Sequence, residues 1–368
     1  MRDLMVGTDG KEVTNGEGHG SLRGVRLARS PIEFLPKWLL CVPLVAHWVW
    51  LALVYRSATL PSALNPTIET GGLAGESKLS YLEGIDVRFG QWVAETFLVR
   101  PGDDPIAVRK RAGLSFPLIA KPDIGWCGYG VRRVDSDREL EAYALAFPRD
   151  AAFLLQRFVA ERNEAGLLYV RDAGAAHGGV TAVTVRHGPH VEGDGVRSIA
   201  CLIACDARTR DNYALYFNKF GAGGMTRVPA MGERVELTTV ASLRVGGRYE
   251  DLSHLITPEL STAVDAIALS IGAFHYGRFD VKFESLHQLL GGRFTIIEIN
   301  GAGSEAIQFW DPKLSLVEAF SGVFAKQRAL FALADKMRKR GHKPVGLYRL
   351  ATAYIRQQRL VGRYPASN

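Results

Sequence analysis

Three oxygen-bearing side chains fall where a buried sheet should have none. Gly277-Arg278-Phe279-Asp280-Val281-Lys282-Phe283 and, past the turn Leu290-Gly291-Gly292-Arg293, Phe294-Thr295-Ile296-Ile297-Glu298-Ile299-Asn300 are rich in β-branched and aromatic residues. They read as paired buried strands. Their inward positions carry Asp280, Glu298 and Asn300. Two carboxylates and an amide inside a sheet are costly unless a cation or hydrogen bonds compensate. Hard oxygen donors of this kind suit Mg²⁺ or Mn²⁺, which share a few protein carboxylates with phosphate oxygens. A strand pair with ordinary surface acids would look the same from this stretch alone.

A second pattern lies upstream. Phe116-Pro117-Leu118-Ile119-Ala120-Lys121-Pro122 is an apolar strand with a lysine near its end, and it runs into Gly125-Trp126-Cys127-Gly128-Tyr129-Gly130 and a short strand, Val131 to Val134. Glycines let a loop wrap its N–H groups around phosphate oxygens, and a lysine adds a point charge. A strand follows rather than a helix, so this is not the dinucleotide fingerprint, and no Gly-Lys-Ser/Thr marks a Walker loop. Taken alone, the stretch is equally a tight hairpin.

Lysine strand, glycine flap and late Asp…Glu-x-Asn cluster, in that order over about residues 75 to 312, resemble the ATP-grasp superfamily, and within it the D-alanine–D-alanine-ligase group of carboxylate–amine ligases. The resemblance implies an α/β fold of the α+β kind, with two subdomains gripping ATP. It implies that Lys78 and Lys121 bind phosphates and that Gly125, Gly128, Tyr129 and Gly130 form the flap. Gln156 and Val159, in Phe153 to Val159, take the place of the strand and hinge that receive adenine, Gln156 standing where relatives often carry Glu. Glu164 takes the place of the ribose-binding acid, with Glu161 as competitor. Asp280, Glu298 and Asn300 match the metal ligands, and Arg278 the arginine that steadies the reacting carboxyl group. Gly303 and Ser304 fall in the substrate turn, where the Gly303 amide would join Arg278 in holding an oxyanion. Lys219 is a further candidate for the terminal phosphate.

The activity so implied is ATP- and Mg²⁺-dependent joining of an unidentified carboxylate to an amine through an acyl phosphate. Such chemistry works by positioning and cationic stabilisation rather than by a Cys or Ser nucleophile. Water destroys acyl phosphates, so a lid is needed, and Gly125 to Gly130 has the composition of one. A kinase that stops at phosphoryl transfer, or a membrane scaffold with a vestigial nucleotide pocket, fits the same residues. The ligases of this group begin with a substrate domain for which there is no room before Lys78, so D-alanine is not the expected substrate.

What stands in that place is apolar. Trp38 to Tyr55 holds no Asp, Glu, Lys or Arg, and Arg23, Arg26, Arg29 and Lys37 precede it. At ~1.5 Å per residue its length is marginal for a bilayer. Export of the remainder would strand an ATP-using site away from ATP. A helix kinked at Pro43 that dips into one leaflet is the expectation, with a buried core helix as the alternative. The total charge of +7 is a C-terminal property: residues 326 to 363 hold eleven Lys or Arg against one acid, Asp335, leaving −3 over the rest. Together these features predict a cytoplasmic protein, peripheral or monotopic on an anionic inner membrane face. No nucleic-acid motif accompanies the charge, and a homodimer is left open.

The expected organisation is a flexible leader over 1 to 30, an apolar helical segment over 31 to 60, one ATP-grasp subdomain over 61 to 150 and the other over 151 to 312, and a basic helical tail over 313 to 368. Four cysteines argue against a disulfide framework, and Cys201 and Cys205 read as buried small hydrophobes.

Overall fold

The computed structural model describes residues 29–367 of the chain, with the Lys37 side chain outside the description. The expected leader therefore lies outside the described residues except for Arg29 and Ser30. Eleven strands and ten helices follow in mixed order, an α+β chain in which every strand pairing is antiparallel.

The smaller sheet runs β1 (Thr96–Val99), β4 (Phe153–Arg157), β2 (Leu118–Pro122), β3 (Arg132–Val134). Helices α3 (Pro105–Arg111) and α4 (Asp137–Ala146) cover it, burying Leu118, Leu140, Tyr143 and Leu155 in one core. Both helices begin on a side-chain cap: Asp104 accepts from Ile106 N–H and Ser136 from Glu139 N–H. The lysine strand and its hairpin partner pair as expected, with Ala120 opposite Arg132.

The larger sheet runs β11 (Thr295–Asn300), β10 (Tyr276–Phe283), β5 (Asn163–Val170), β6 (Gly179–His187), β9 (Arg248–Asp251). Its two faces differ in kind. Phe279, Val281 and Phe283 of β10 point into a core built with α7 (Pro258–Ser270) and α8 (Leu286–Leu290). Alternate residues, period two along a strand, put Tyr276, Arg278, Asp280 and Lys282 on the opposite face. That polar face is turned toward the smaller sheet. A short pair, β7 (His190–Glu192) with β8 (Arg234–Glu236), packs with α5 (Ile199–Cys205) and α6 (Tyr213–Thr226) as a satellite core.

Helix α1 (Lys37–Val54) is one continuous helix with Pro43 inside it, not a hairpin. It packs beside α9 (Leu316–Lys339), with Trp48 edge-on to Phe331 at 4.9 Å and Leu51 buried. The expected dip and return at Pro43 is corrected: the proline forfeits one intrahelical bond while the inner face stays anchored on α9. Among the described residues no helix is long and apolar enough to cross a membrane. Cys201 and Cys205 are also corrected. Ile199, Leu202 and Ile203 take the buried face of α5, which leaves the two cysteines, four apart, exposed on the other side as free thiols. Helix α2 (Lys78–Glu83) and α10 (Leu347–Val361) complete the set.

Candidate functional site

Asp280 lies directly opposite Glu298 across β10 and β11, and Arg278 opposite Asn300. Between Asp280 and Val281 the pairing slips: Val281 faces Ile296, so Ile297 is an extra, unpaired residue. A bulge of this kind re-aims the backbone. The freed Ile297 carbonyl turns to the other sheet, where it accepts from Lys121 Nζ at 2.8 Å and Gln156 Nε2 at 3.1 Å.

Lys121 and Gln156 face it from β2 and β4. Lys121 Nζ also donates to Gln156 Oε1 at 3.0 Å, and Gln156 Nε2 to Thr96 Oγ1 at 2.8 Å. Both side chains are almost wholly buried. Among the described residues Lys121 has no ion pair, and burial pulls its ammonium down to about 8, with Glu298 opposing. Lys78, just after the Ser77 cap of α2, bonds Glu298 at 3.0 Å. Burial opposes charge on both; their attraction wins, raising Lys78 and holding Glu298 at about 2.

Asp280 is the hub of the larger sheet's polar face. Arg278 binds it twice, at 2.6 and 3.0 Å, and Arg186 of β6 at 3.1 Å, while Asn300 Nδ2 lies 3.3 Å away. Burial disfavours the charged Arg278, but Asp280 more than offsets it and raises the group. Arg186 bridges on to Glu164 at 2.8 Å, which also pairs with Lys282 at 3.7 Å. Gly166 makes this layout fit: a Cβ there would stand 2.7 Å from Ile307 Cδ1 and 2.9 Å from Arg278 Cδ.

The glycine loop borders the cluster at one end. A Cβ on Gly125 would meet Lys78 Cε at 3.0 Å. Cys127, Gly128 and Gly130 all have positive φ, so the loop turns where only glycine is at ease twice out of three times. Arg244 holds its far side, donating to the Cys127 carbonyl at 3.1 Å and stacking over Tyr129 at 4.2 Å. The tail holds the rest: Gln357 donates to Gly125 O, Tyr364 to Ile124 O and Ser367 to Gly128 O.

Lys78, Lys121, Gly125, Gln156, Glu164, Arg278, Asp280, Glu298 and Asn300 are thus brought together. Val159 is buried just beyond β4. Glu161, by contrast, makes none of the cluster's ion pairs, all of which on this strand end go to Glu164. Lys219 stands apart on α6, its ammonium 3.4 Å from the Glu236 carbonyl and beside the Phe220 ring. The Gly303 amide, expected to face an oxyanion, is already spent on Gly72 O at 2.6 Å. Ser304 is buried with an unpartnered Oγ.

Two residues went unnoticed in sequence. Arg186 has a readable signal, a lone cation ending the apolar run Val183-Thr184-Val185. Lys326 has none, being one of several lysines on a basic helix. Its ammonium is buried, bonds the Ser304 carbonyl, lies 5.9 Å from the Tyr276 ring and has no ion pair among the described residues. Burial pulls it to about 8, against Glu305. Lys121, buried, and Lys326, half-buried, are thus two lysines without an ion pair among the described residues.

Among the described residues no three His, Cys, Asp or Glu side chains gather. The donor set is two carboxylates and one amide, which fits Mg²⁺ only if phosphate oxygens complete its shell. Cavities of about 180 Å³ near Arg208 and Asp211, and about 320 Å³ near Leu79 and Thr96, lie away from the hub.

No family model matches the chain, and no curated protein matches it by sequence. Solved structures do. A D-alanine–D-alanine ligase from Bacillus anthracis is similar at 15% identity over 74% of this chain and 70% of that one, with a TM-score of 0.42. VanG D-Ala:D-Ser ligase from Enterococcus faecalis is similar at 17%, covering 74% and 63%, TM-score 0.38. A bifunctional glutathione synthetase from Pasteurella multocida is similar at 17% over 69% of this chain, TM-score 0.36, and the chain spans only 35% of its length.

Proposed function

We propose that the chain is an ATP-grasp ligase that activates a carboxylate as its acyl phosphate and joins it to an amine. What supports this reading is one convergence: Lys121 from one sheet and the Asp280–Glu298 pair from the other meet at Ile297, although about 160 residues separate them in sequence. A triphosphate enters by taking Lys121 from Ile297 O, which exchanges a neutral acceptor for an anion. Lys78 and Lys121 then hold phosphate oxygens. Asp280, Glu298 and Asn300 would hold Mg²⁺, which neutralises phosphate charge when bound.

On the other side, Arg278 orients the substrate carboxyl group beside the Ser304 hydroxyl and Lys326. A carboxylate oxygen forms a bond to the γ-phosphorus and the bond to ADP breaks. The amine then bonds to the acyl carbon, inorganic phosphate leaves, and the amine proton passes to solvent or a buried base. Arg278 offsets the charge that gathers on the acyl oxygen, a task for which the Gly303 amide is not free. The reading extends to a cytoplasmic protein held on a membrane surface by its apolar helix and basic tail.

Hydroxylamine tests the chemistry. With ATP, Mg²⁺ and a pool of small carboxylates, hydroxamate should accumulate alongside ADP; a stable phosphorylated product with no hydroxamate would instead make the protein a kinase.

Affinity should also depend on pH in a definite direction. Lys121 titrates near 8, below the ordinary lysine value, so its positive charge is lost as pH rises through that point. ATP binding, measured by calorimetry, should weaken by roughly tenfold between about pH 7 and about pH 9.5. Folding stability moves the other way from this group. The unfolded chain holds the proton up to the ordinary lysine range, so the burial penalty present below about 8 is relieved as pH climbs.

A further inference from the structure

Helix α10 has two working faces, and only one is used inside the protein. Leu350, Ala353, Gln357 and Leu360 pack inward, and Gln357 reaches the glycine loop. A second apolar stripe at helical spacing points outward: Leu347, Tyr348, Tyr354 and Ile355 are 66, 84, 52 and 47% exposed. Arg349, Arg356 and Arg359 border it and are exposed, and like Arg340 and Lys343 just before the helix they have no ion pair among the described residues. Cations nearby that do have acid partners, such as Lys336 with Asp172, show that pairing is available when the fold provides it.

Helix α1 repeats the arrangement without the charges. Its outward positions include Trp38, Val42, Val45, Val49, Trp50 and Leu53, all at least half exposed. The segment after α1 is tied to the segment before α10. Val345, two residues before α10, accepts from Thr59 Oγ1 at 2.6 Å and donates to Ser62 Oγ at 2.8 Å, just past the end of α1. An apolar face on a folded protein marks an interaction site, and uncompensated arginines beside it select an anionic one.

We propose that the outward stripe of α10, continued by the outward face of α1, is the docking surface for an anionic lipid bilayer, on which the protein lies without crossing. The inference rests on the membrane half of the reading above and sharpens it to named side chains. The occupant follows from charge complementarity: apolar side chains enter the headgroup boundary while the arginines meet lipid phosphates.

Full-length protein, without nucleotide, should pellet with sucrose-loaded vesicles of phosphatidylcholine and phosphatidylglycerol in equal parts, and several-fold less with phosphatidylcholine alone or in high salt. Leu347→Glu with Ile355→Glu should abolish pelleting, and Arg349→Gln with Arg356→Gln should reduce it several-fold. These side chains are exposed, so unchanged circular dichroism is expected and is checked. Protein that stays in the supernatant with both vesicle types overturns the proposal. So does wild-type pelleting by the glutamate pair, or loss by that pair of a dimer seen in light scattering with no vesicle binding, which would assign the face to a second copy. The hydroxamate experiment is independent: ligase chemistry without lipid binding removes only the docking surface.

Discussion

Lys121→Ala is expected to lower ATP turnover by roughly 10²- to 10³-fold, the loss typical of removing one buried cationic or hydrogen-bonding group from a developing negative charge. Its effect on folding should be small, because two contributions oppose each other. Removing the side chain relieves a desolvated ammonium that has no ion pair. It also leaves Gln156 Oε1 without its donor, at a cost of about 1–3 kcal/mol, whereas Ile297 O retains Gln156 Nε2. ADP release and a thermal melt, run on one preparation, check both halves. Turnover within a few-fold of the parent in a folded variant would break the nucleotide assignment.

Glu298→Gln should act on both activity and stability. It removes one of two carboxylates available to Mg²⁺ and takes from the Lys78 ammonium its one ion pair among the described residues. Loss of turnover by about 10³-fold is expected, not recovered by excess Mg²⁺. The stability effect has a pH signature. Lys78 and Lys121 hold Glu298 at about 2, below its unfolded value, so the parent gains stability that is complete above about pH 4.5 and lost as pH falls toward 2. From that displacement the contribution is about 3 kcal/mol at neutral pH. Urea unfolding at about pH 7 should show the variant weaker by that order, and the gap should narrow below about pH 4.5 and close only as pH falls to about 2. Equal stability at neutral pH would mean that Lys78 finds another partner.

The paired strands and the lysine hairpin were legible because apolar runs bounded by turn residues agree with the strands there. The acids of β10 and β11 were legible for the opposite reason: they break an otherwise apolar alternation. Other features left no trace. The bulge at Ile297 has no glycine or proline to announce it, since a register slip is decided by both strands together. The commitment of the Gly303 amide to Gly72 depends on a contact across more than two hundred residues. Lys326 and Arg328 look alike in sequence, yet the pitch of α9 leaves the first half-buried and the second exposed. Cys201 and Cys205 were misread because apolar neighbours surround them in sequence but not around the helix.

The grip of Gln357, Tyr364 and Ser367 on the backbone of residues 124–128 has a consequence for biosynthesis. A polypeptide leaves the ribosome from its amino end, so the supports of this glycine loop emerge more than two hundred residues after the loop itself. Both sheets can assemble while translation continues. The loop acquires its final bracing only once those residues have emerged, and a nascent chain stalled before Val345 should carry sheets whose glycine loop is unbraced.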